Sequence, residues 1–407
     1  MNKKKNSQSA RHRRLTDMDK HLLIRSAQDE AKLPPQPTAI APDHQPAIQA
    51  AAQVKPAAES TPIVSLTTPD DAVLELQHLK VYFARYGGIF YRKIGEVKAV
   101  DDVSFYVRHG EVLGLVGESG CGKSTVGKAI IHLLAETVPG VKLEGKILFH
   151  REGRGSVNLL PLTGSQMLPY RSQIQMIFQD PYSSLNPRLT VGDIIAEPLI
   201  IHCPKLSGKD REEEVIRLLG KVGLSGEQRN RYPHEFSGGQ RQRIGIARAL
   251  ATKPRIIVAD EPVSALDVSI QAQVINLMQD LQAEFQLSYI FVAHDLSVVK
   301  HISNRIAVMY LGNIVEIGTS DQVYYEPVHP YTKALLSAVP MPDPKLKQYK
   351  DRTMLRGEIP SPLNKPSGCP FRTRCPIARE ECAVSMPPLI EKQGRLVACP
   401  YRSFRNE

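Results

Sequence analysis

Val112-Leu113-Gly114-Leu115-Val116-Gly117-Glu118-Ser119-Gly120-Cys121-Gly122-Lys123-Ser124-Thr125 is the stretch on which the reading of this chain turns. The apolar run up to Val116 reads as a buried parallel strand, and Gly117 opens a tight loop after it. The loop matches G-x-x-x-x-G-K-[ST], the pattern that cradles phosphate. Its glycines let successive backbone N–H groups of Gly117, Glu118, Ser119, Gly120, Cys121 and Gly122 curl around a β- and γ-phosphate. The helix expected from Thr125 to Leu134 adds the positive end of its dipole. Lys123 supplies a cation to the β/γ oxygens, and the Ser124 hydroxyl is a ligand for Mg²⁺.

Outward from this loop the same grammar repeats. Ile256-Ile257-Val258-Ala259 is a second apolar strand, and it delivers Asp260 and Glu261 at its C-terminal end, where open α/β sheets bind ligands. Asp260 is placed to hold Mg²⁺ through water, and Glu261 to polarise an attacking water as general base. Tyr289-Ile290-Phe291-Val292-Ala293 is a third such strand, followed by His294. A helical pattern from Ser269 to Phe285 separates the last two. Upstream, Leu74 to Gln77 and Val103 to Val107 alternate as half-buried strands do. Buried strands alternating with helices predict an α/β domain with a largely parallel sheet. Phe236-Ser237-Gly238-Gly239-Gln240 opens a further helix, Gln240 to Leu250, as another anion-ready N-terminus. One domain has little use for two γ-phosphate sites, so this loop is expected to serve a nucleotide held by another subunit.

Composition sets the limits. The chain has 407 residues, a formal net charge of +10, 42% apolar and 23% charged residues and no Trp. That is ordinary for a folded protein and excludes a wholly disordered or collagen-like chain. No apolar run approaches the roughly 18–20 residues that cross a bilayer. Met1 to Leu15 is basic with no apolar core behind it, which does not read as a secretory signal. The expectation is a cytoplasmic location, with any tie to a membrane made through a partner.

Residues 1–71 read as a disordered extension: eight Pro and nine Ala fall between Ala31 and Asp70, and no aromatic residue precedes Tyr82. Asp17 to Ala31 is the one short helix candidate there. The six cations of the first fourteen residues read as a solvated tail or as a contact for anionic lipid or nucleic acid. After Pro330, prolines punctuate a loop-rich tail that excludes a long helix or a central strand and needs a staple to fold. Cys369, Cys375, Cys382 and Cys399 lie in it. Thiolates are soft ligands, so an iron–sulfur cluster, zinc and metal-free thiols all stay open.

Taken together, these motifs resemble those of the ATP-binding subunits of ABC transporters over about residues 72–330, in the family's order. The resemblance implies a P-loop NTPase of ABC type, with an antiparallel β subdomain, a helical subdomain at about 181–245 and a C-terminal cysteine extension at 331–407. It implies ATP and Mg²⁺ as cofactors. Gln179 in Met176-Ile177-Phe178-Gln179-Asp180-Pro181 resembles the glutamine that touches Mg²⁺ and the attacking water. Ser237, Gly238, Gly239 and Gln240 resemble the signature loop, with Phe236 where Leu is commoner. Asp267 in Ser264-Ala265-Leu266-Asp267 resembles the loop that crosses the dimer interface, and His294 the histidine that contacts the γ-phosphate. Phe83, with Tyr82 as second choice, is the candidate to stack on adenine; Ala84 to Glu96 looks like an insertion.

Leu185-Asn186-Pro187-Arg188, the run from Ala259 to Gln273 and His329-Pro330-Tyr331-Thr332-Lys333-Ala334-Leu335-Leu336 resemble the oligopeptide/dipeptide importer branch, within it the second, F-type ATPase subunit. The branch implies a heterodimer with a second ATPase, two transmembrane permease subunits, an extracytoplasmic peptide-binding protein, a peripheral place on the cytoplasmic face of the membrane, and a [4Fe–4S] cluster on the four cysteines. Two rivals exist. A soluble ABC ATPase acting on nucleic acid or ribosomes suits the positive charge, but the two cassettes, coiled coils or zinc-finger insertions of such proteins are not visible, and no nucleic-acid partner is expected. A redox-sensing ATPase would make the cysteine tail the functional centre.

Overall fold

The apolar strands read above form the middle of a large sheet. In the computed structural model, which describes residues 68–87, 92–338 and 357–401, eight strands run in the order β11-β12-β10-β9-β3-β8-β7-β6. Among them β3 (Val112–Val116), β6 (Ile174–Ile177), β7 (Ile256–Asp260), β8 (Ser288–Ala293) and β9 (Arg305–Tyr310) are parallel neighbours. β10 (Asn313–Thr319), β11 (Ile390–Lys392) and β12 (Arg395–Val397) complete the sheet in antiparallel sense. A second, antiparallel sheet has the order β2-β1-β4-β5, with β1 at Ala72–Gly87, β2 at Arg92–Arg108, β4 at Lys142–Arg151 and β5 at Gly155–Asn158.

Side chains alternate across a strand, and here each parity has its own core. Leu113, Leu115, Ile256, Val258, Ile290 and Val292 pack with β1, β2 and the helix Lys123–Ile130. Val112, Val116, Ile257, Ala259, Tyr289 and Phe291 pack on the other side with the helices Val191–His202, Gly208–Lys221, Gly238–Leu250, Val268–Phe285 and Leu296–Ile302. Gly114 breaks the run because a Cβ there would stand 2.1 Å from Val299 Cγ1. Between Pro181 and Leu250 the described chain has no strand and is helical in six short pieces.

Local features refine the expectations. The helix expected over Thr125 to Leu134 is two, Lys123–Ile130 and Leu133–Thr137, because His132 takes a left-handed φ of 62°. Within the stretch from Ala84 to Glu96 that looks like an insertion, Ala84 to Gly87 continue β1 and Arg92 to Glu96 belong to β2, with Phe83 facing Val97 and Ala84 facing Glu96. The tail, expected to hold no central strand, lends β12 to the sheet interior between β11 and β10; its prolines, Pro387, Pro388 and Pro400, lie outside both short strands. A short helix stands at Pro330–Ser337, at the head of the tail, with His329 as N-cap and Pro330 in the first turn. The basic N-terminal tail and the helix candidate at Asp17 to Ala31 lie outside the described residues.

Candidate active site

The phosphate-type loop leaves β3 and enters the helix Lys123–Ile130 through two glycines with positive φ, Gly120 at 77° and Gly122 at 107°. At Gly122 a Cβ would stand 2.1 Å from the Ala99 carbonyl oxygen, so the position needs glycine for both conformation and space. Lys123 is buried, and its Nζ donates to the Gly117 carbonyl at 2.8 Å and the Glu118 carbonyl at 3.1 Å. Cys121 is buried too, and burial pushes its thiol above the ordinary range; its side chain contributes packing rather than reactivity.

Three further elements bring their side chains to this loop. Ser124 Oγ donates to Asp260 Oδ1 at 2.7 Å, joining the loop to the end of β7. Gln179 Nε2 donates to Glu261 Oε2 at 3.1 Å. His294 Nδ1, at the end of β8, stands 3.4 Å from the same oxygen. Glu261 holds a left-handed φ of 44°, and its own N–H donates to the Val292 carbonyl at 3.0 Å. Non-glycine residues take that conformation only when their surroundings impose it, and such positions cluster at functional sites. A cavity of about 470 Å³ is lined by Ser119, Gly120 and Gly122 to Thr125 of the loop, by Gln179, Glu261 and His294, and by Ala99 of β2.

The donor set fits a hard divalent cation. Burial raises the pKa of the Asp260 carboxyl, against the opposing bond from Ser124. A nearby cation would favour its ionised form. A hydroxyl and a carboxylate are oxygen ligands of the kind Mg²⁺ takes.

Other expected site residues stand elsewhere. Ser237 and Gly238 are exposed, and none of Ser237, Gly238, Gly239 or Gln240 lines the cavity. Ser237 instead caps the helix Gly238–Leu250, accepting from the Gln240 N–H at 3.3 Å, while Gln240 Oε1 accepts from the Ser237 N–H at 3.0 Å. Gly239 allows close packing, since a Cβ there would lie 2.5 Å from Ile270 Cγ2. Asp267 is exposed at the start of Val268–Phe285 and does not line the cavity. Phe83 is half-buried against the core under β1 and does not line it either. The Tyr82 hydroxyl donates to Asp101 Oδ1, and Lys98 and Lys142 lie over its ring.

The four tail cysteines come together, Cys382, Cys375 and Cys399 all acting on Cys369. Cys369 and Cys382 are buried, the Cys369 N–H donates to the Cys382 carbonyl at 2.8 Å, and the Arg379 N–H donates to Cys382 Sγ at 3.5 Å. Burial, with Cys382, Cys375 and Cys399 adding to it, pushes the Cys369 thiol up to about 11. Among the described residues no group of three or more His, Cys, Asp or Glu is disposed to hold a metal ion.

With this geometry, known proteins can be compared. The family model described as "ABC transporter" matches residues 100–264, and the one described as "Oligopeptide/dipeptide transporter, C-terminal region" matches residues 315–382. The oligopeptide transport ATP-binding protein OppF of Salmonella typhimurium is 56% identical over 329 residues, covering 80% of this chain and 95% of that one. The chain belongs to the ATP-binding proteins of the oligopeptide/dipeptide ABC transporter family. AppF of Bacillus subtilis, also an oligopeptide transport ATP-binding protein, is 52% identical over 330 residues, covering 81% and 97% of the two chains. The dipeptide transport ATP-binding protein DppF of Haemophilus influenzae is 49% identical over 322 residues, covering 79% and 94%. Among solved structures, a dimeric ATP-binding cassette in a post-hydrolysis state bound to ADP and Pi superimposes with a TM-score of 0.52 at 27% identity, covering 61% of this chain and 98% of that one. The family members are ABC ATPases, and the transport names do not favour the nucleic-acid alternative. Among the described residues no helix is long and apolar enough to cross a membrane.

Two contacts of the loop had little or no local sequence signal. Tyr331, within the family's C-terminal hallmark, and Arg374, in the cysteine tail, both reach Glu118.

Proposed function

We propose that this chain binds Mg·ATP in the cavity above and hydrolyses it to energise import of peptides by an ABC transporter. The observation that carries the reading is the convergence of Gln179 and His294 on one oxygen of Glu261 in a cavity that Lys123 and Ser124 also line, with Ser124 bonded to Asp260. The N–H groups of the loop and the Lys123 ammonium hold the β- and γ-phosphates, for which Lys123 exchanges its carbonyl partners for phosphate oxygens. Ser124, Asp260 and Gln179 hold Mg²⁺, which neutralises phosphate charge when bound. Glu261 orients and polarises the attacking water, held in position by Gln179 and His294. His294 supports the charge that develops on the γ-phosphoryl group. Phe83 is proposed for the adenine.

Ser237, Gly238, Gly239, Gln240 and Asp267 lie outside the cavity, which suits service to the nucleotide of a neighbouring subunit. We read the working unit as a head-to-tail pair with a second, different ATPase, beneath two permease subunits fed by a peptide-binding protein, on the cytoplasmic face of the membrane. The helical run after Gln179 receives the permease contact. The four thiols of Cys369, Cys375, Cys382 and Cys399 are proposed as the ligands of a [4Fe–4S] cluster, with zinc as the alternative. Iron, zinc and acid-labile sulfide analysis of the purified chain decides this, and a preparation free of all three would dismiss it.

The test of the activity is Glu261→Gln. It should bind ATP as the wild type does and lose turnover by about 10²–10³-fold; near-normal ATPase activity in that variant removes Glu261 from its role.

A further inference from the structure

The phosphate loop is gripped from outside the nucleotide domain's own motifs, and the grip falls on one residue. Glu118 is the second residue of the loop. Its N–H donates to the Tyr331 hydroxyl at 2.8 Å. Its carboxylate receives a two-pronged bond from Arg374, Nη1 to Oε2 at 2.8 Å and Nη2 to Oε1 at 3.1 Å. Its carbonyl accepts from Lys123 Nζ. Arg374 is buried and Glu118 is largely so. Both clamp residues are themselves held. Tyr331, Tyr310 and Phe371 form a packed aromatic triad, with ring centroids 4.6, 5.2 and 5.4 Å apart. The Arg374 N–H donates to the Phe371 carbonyl at 3.0 Å. The Tyr331 N–H is capped by His329 Nδ1 at 3.1 Å, and the His329 N–H donates to Glu316 Oε2 at 3.0 Å. The hallmark His329-Pro330-Tyr331 thus ends on the phosphate loop.

We propose that Tyr331 and Arg374 are positioning residues for ATP binding: the C-terminal extension holds Glu118 so that the loop is preformed and its one carboxylate is neutralised. This rests on the loop being the ATP site. A carboxylate in a loop that must receive a polyphosphate opposes binding, and in a partly desolvated site that opposition is not screened away. Arg374 cancels the charge with a rigid fork and fixes the direction in which the side chain points. Tyr331 gives the Glu118 N–H a partner and sets the plane of the peptide at the loop entrance.

Titration of the full-length chain with Mg·ATP, read by calorimetry, tests this. Arg374→Met should weaken ATP binding by about tenfold, because it leaves the Glu118 carboxylate unpaired. Adding Glu118→Gln to Arg374→Met should restore most of the loss, and Arg374→Lys part of it. Tyr331→Phe should weaken binding by a few-fold with its thermal midpoint close to wild type. Wild-type affinity in Arg374→Met overturns the clamp. So does a double variant as weak as Arg374→Met, since the tail would then act only through folding. A wild-type chain that binds no Mg·ATP instead removes the ATP site itself, a distinguishable failure.

Discussion

Gly122 shows how much one residue decides. With φ at 107° and the Ala99 carbonyl 2.1 Å from where a Cβ would stand, no other residue type fits. Gly122→Ala should therefore lose measurable Mg·ATP binding while the fold, followed by circular dichroism, survives. Retained affinity would mean that the loop can be rebuilt. The residues of this loop were legible beforehand because spacing and chemistry coincide there: glycine for the turn, Lys123 for charge, Ser124 for the metal. Asp260, Glu261 and His294 were legible because each ends an apolar strand. Arg374 was not, since its partner Glu118 lies 256 positions away and nothing near it in sequence announces a partner. Tyr331 was visible as part of a hallmark whose purpose the sequence does not state.

Among the elements, Glu316 on β10 does the work of a hinge pin. It is fully buried, and its two oxygens accept the Val328 and His329 N–H groups at 3.0 Å each, just ahead of the helix Pro330–Ser337. Burial raises the pKa of this carboxyl, against the opposing bonds from the two N–H groups. A raised acid pKa gives stability that is complete below the ordinary glutamate value of about 4.5 and is lost as pH climbs through the raised value. Glu316→Gln lacks that slope. It should cost about 1–3 kcal/mol at acid pH, because an amide nitrogen replaces one acceptor, and the gap to wild type should narrow as pH rises. Urea unfolding across a pH series measures this, and a gap that stays constant or widens would refute it. The strands read from the sequence, β3, β7 and β8 among them, have the type expected because buried parallel strands are short apolar runs. Their lengths were not, because β1 and β2 continue through bulges and charged edge residues where alternation fails. β12 was missed because three residues between prolines carry no periodicity; only its pairing with β10 makes it a strand.

At the scale of the molecule, the chain presents a cavity on one side of the motif set and leaves the Ser237 loop and Asp267 outside it. In the proposed head-to-tail pair, a second subunit completes such a surface. ATP turnover per chain should be low in dilute solution and rise with concentration or on adding the second ATPase, with Glu261→Gln accumulating the paired form in ATP. Sedimentation alongside a turnover assay reports both quantities. Full-speed hydrolysis by a chain that stays solitary at every concentration would contradict it. The fold class was legible in outline because the motif order fixes the parallel core. The joining of the cysteine tail to the same sheet was not, because antiparallel addition at an edge depends on contacts distant in sequence.

That joining bears on how the protein is made. β10 finds its outer neighbour in Arg395–Val397, a segment translated well after β10 itself. At about 5–20 residues per second, the nascent chain spends several seconds with one border of its main sheet bare. A bare border of this kind recruits other strands. Stalled or prematurely terminated copies are thus the ones expected to clump in the cell and to need chaperone escort, whereas finished copies carry their own cover.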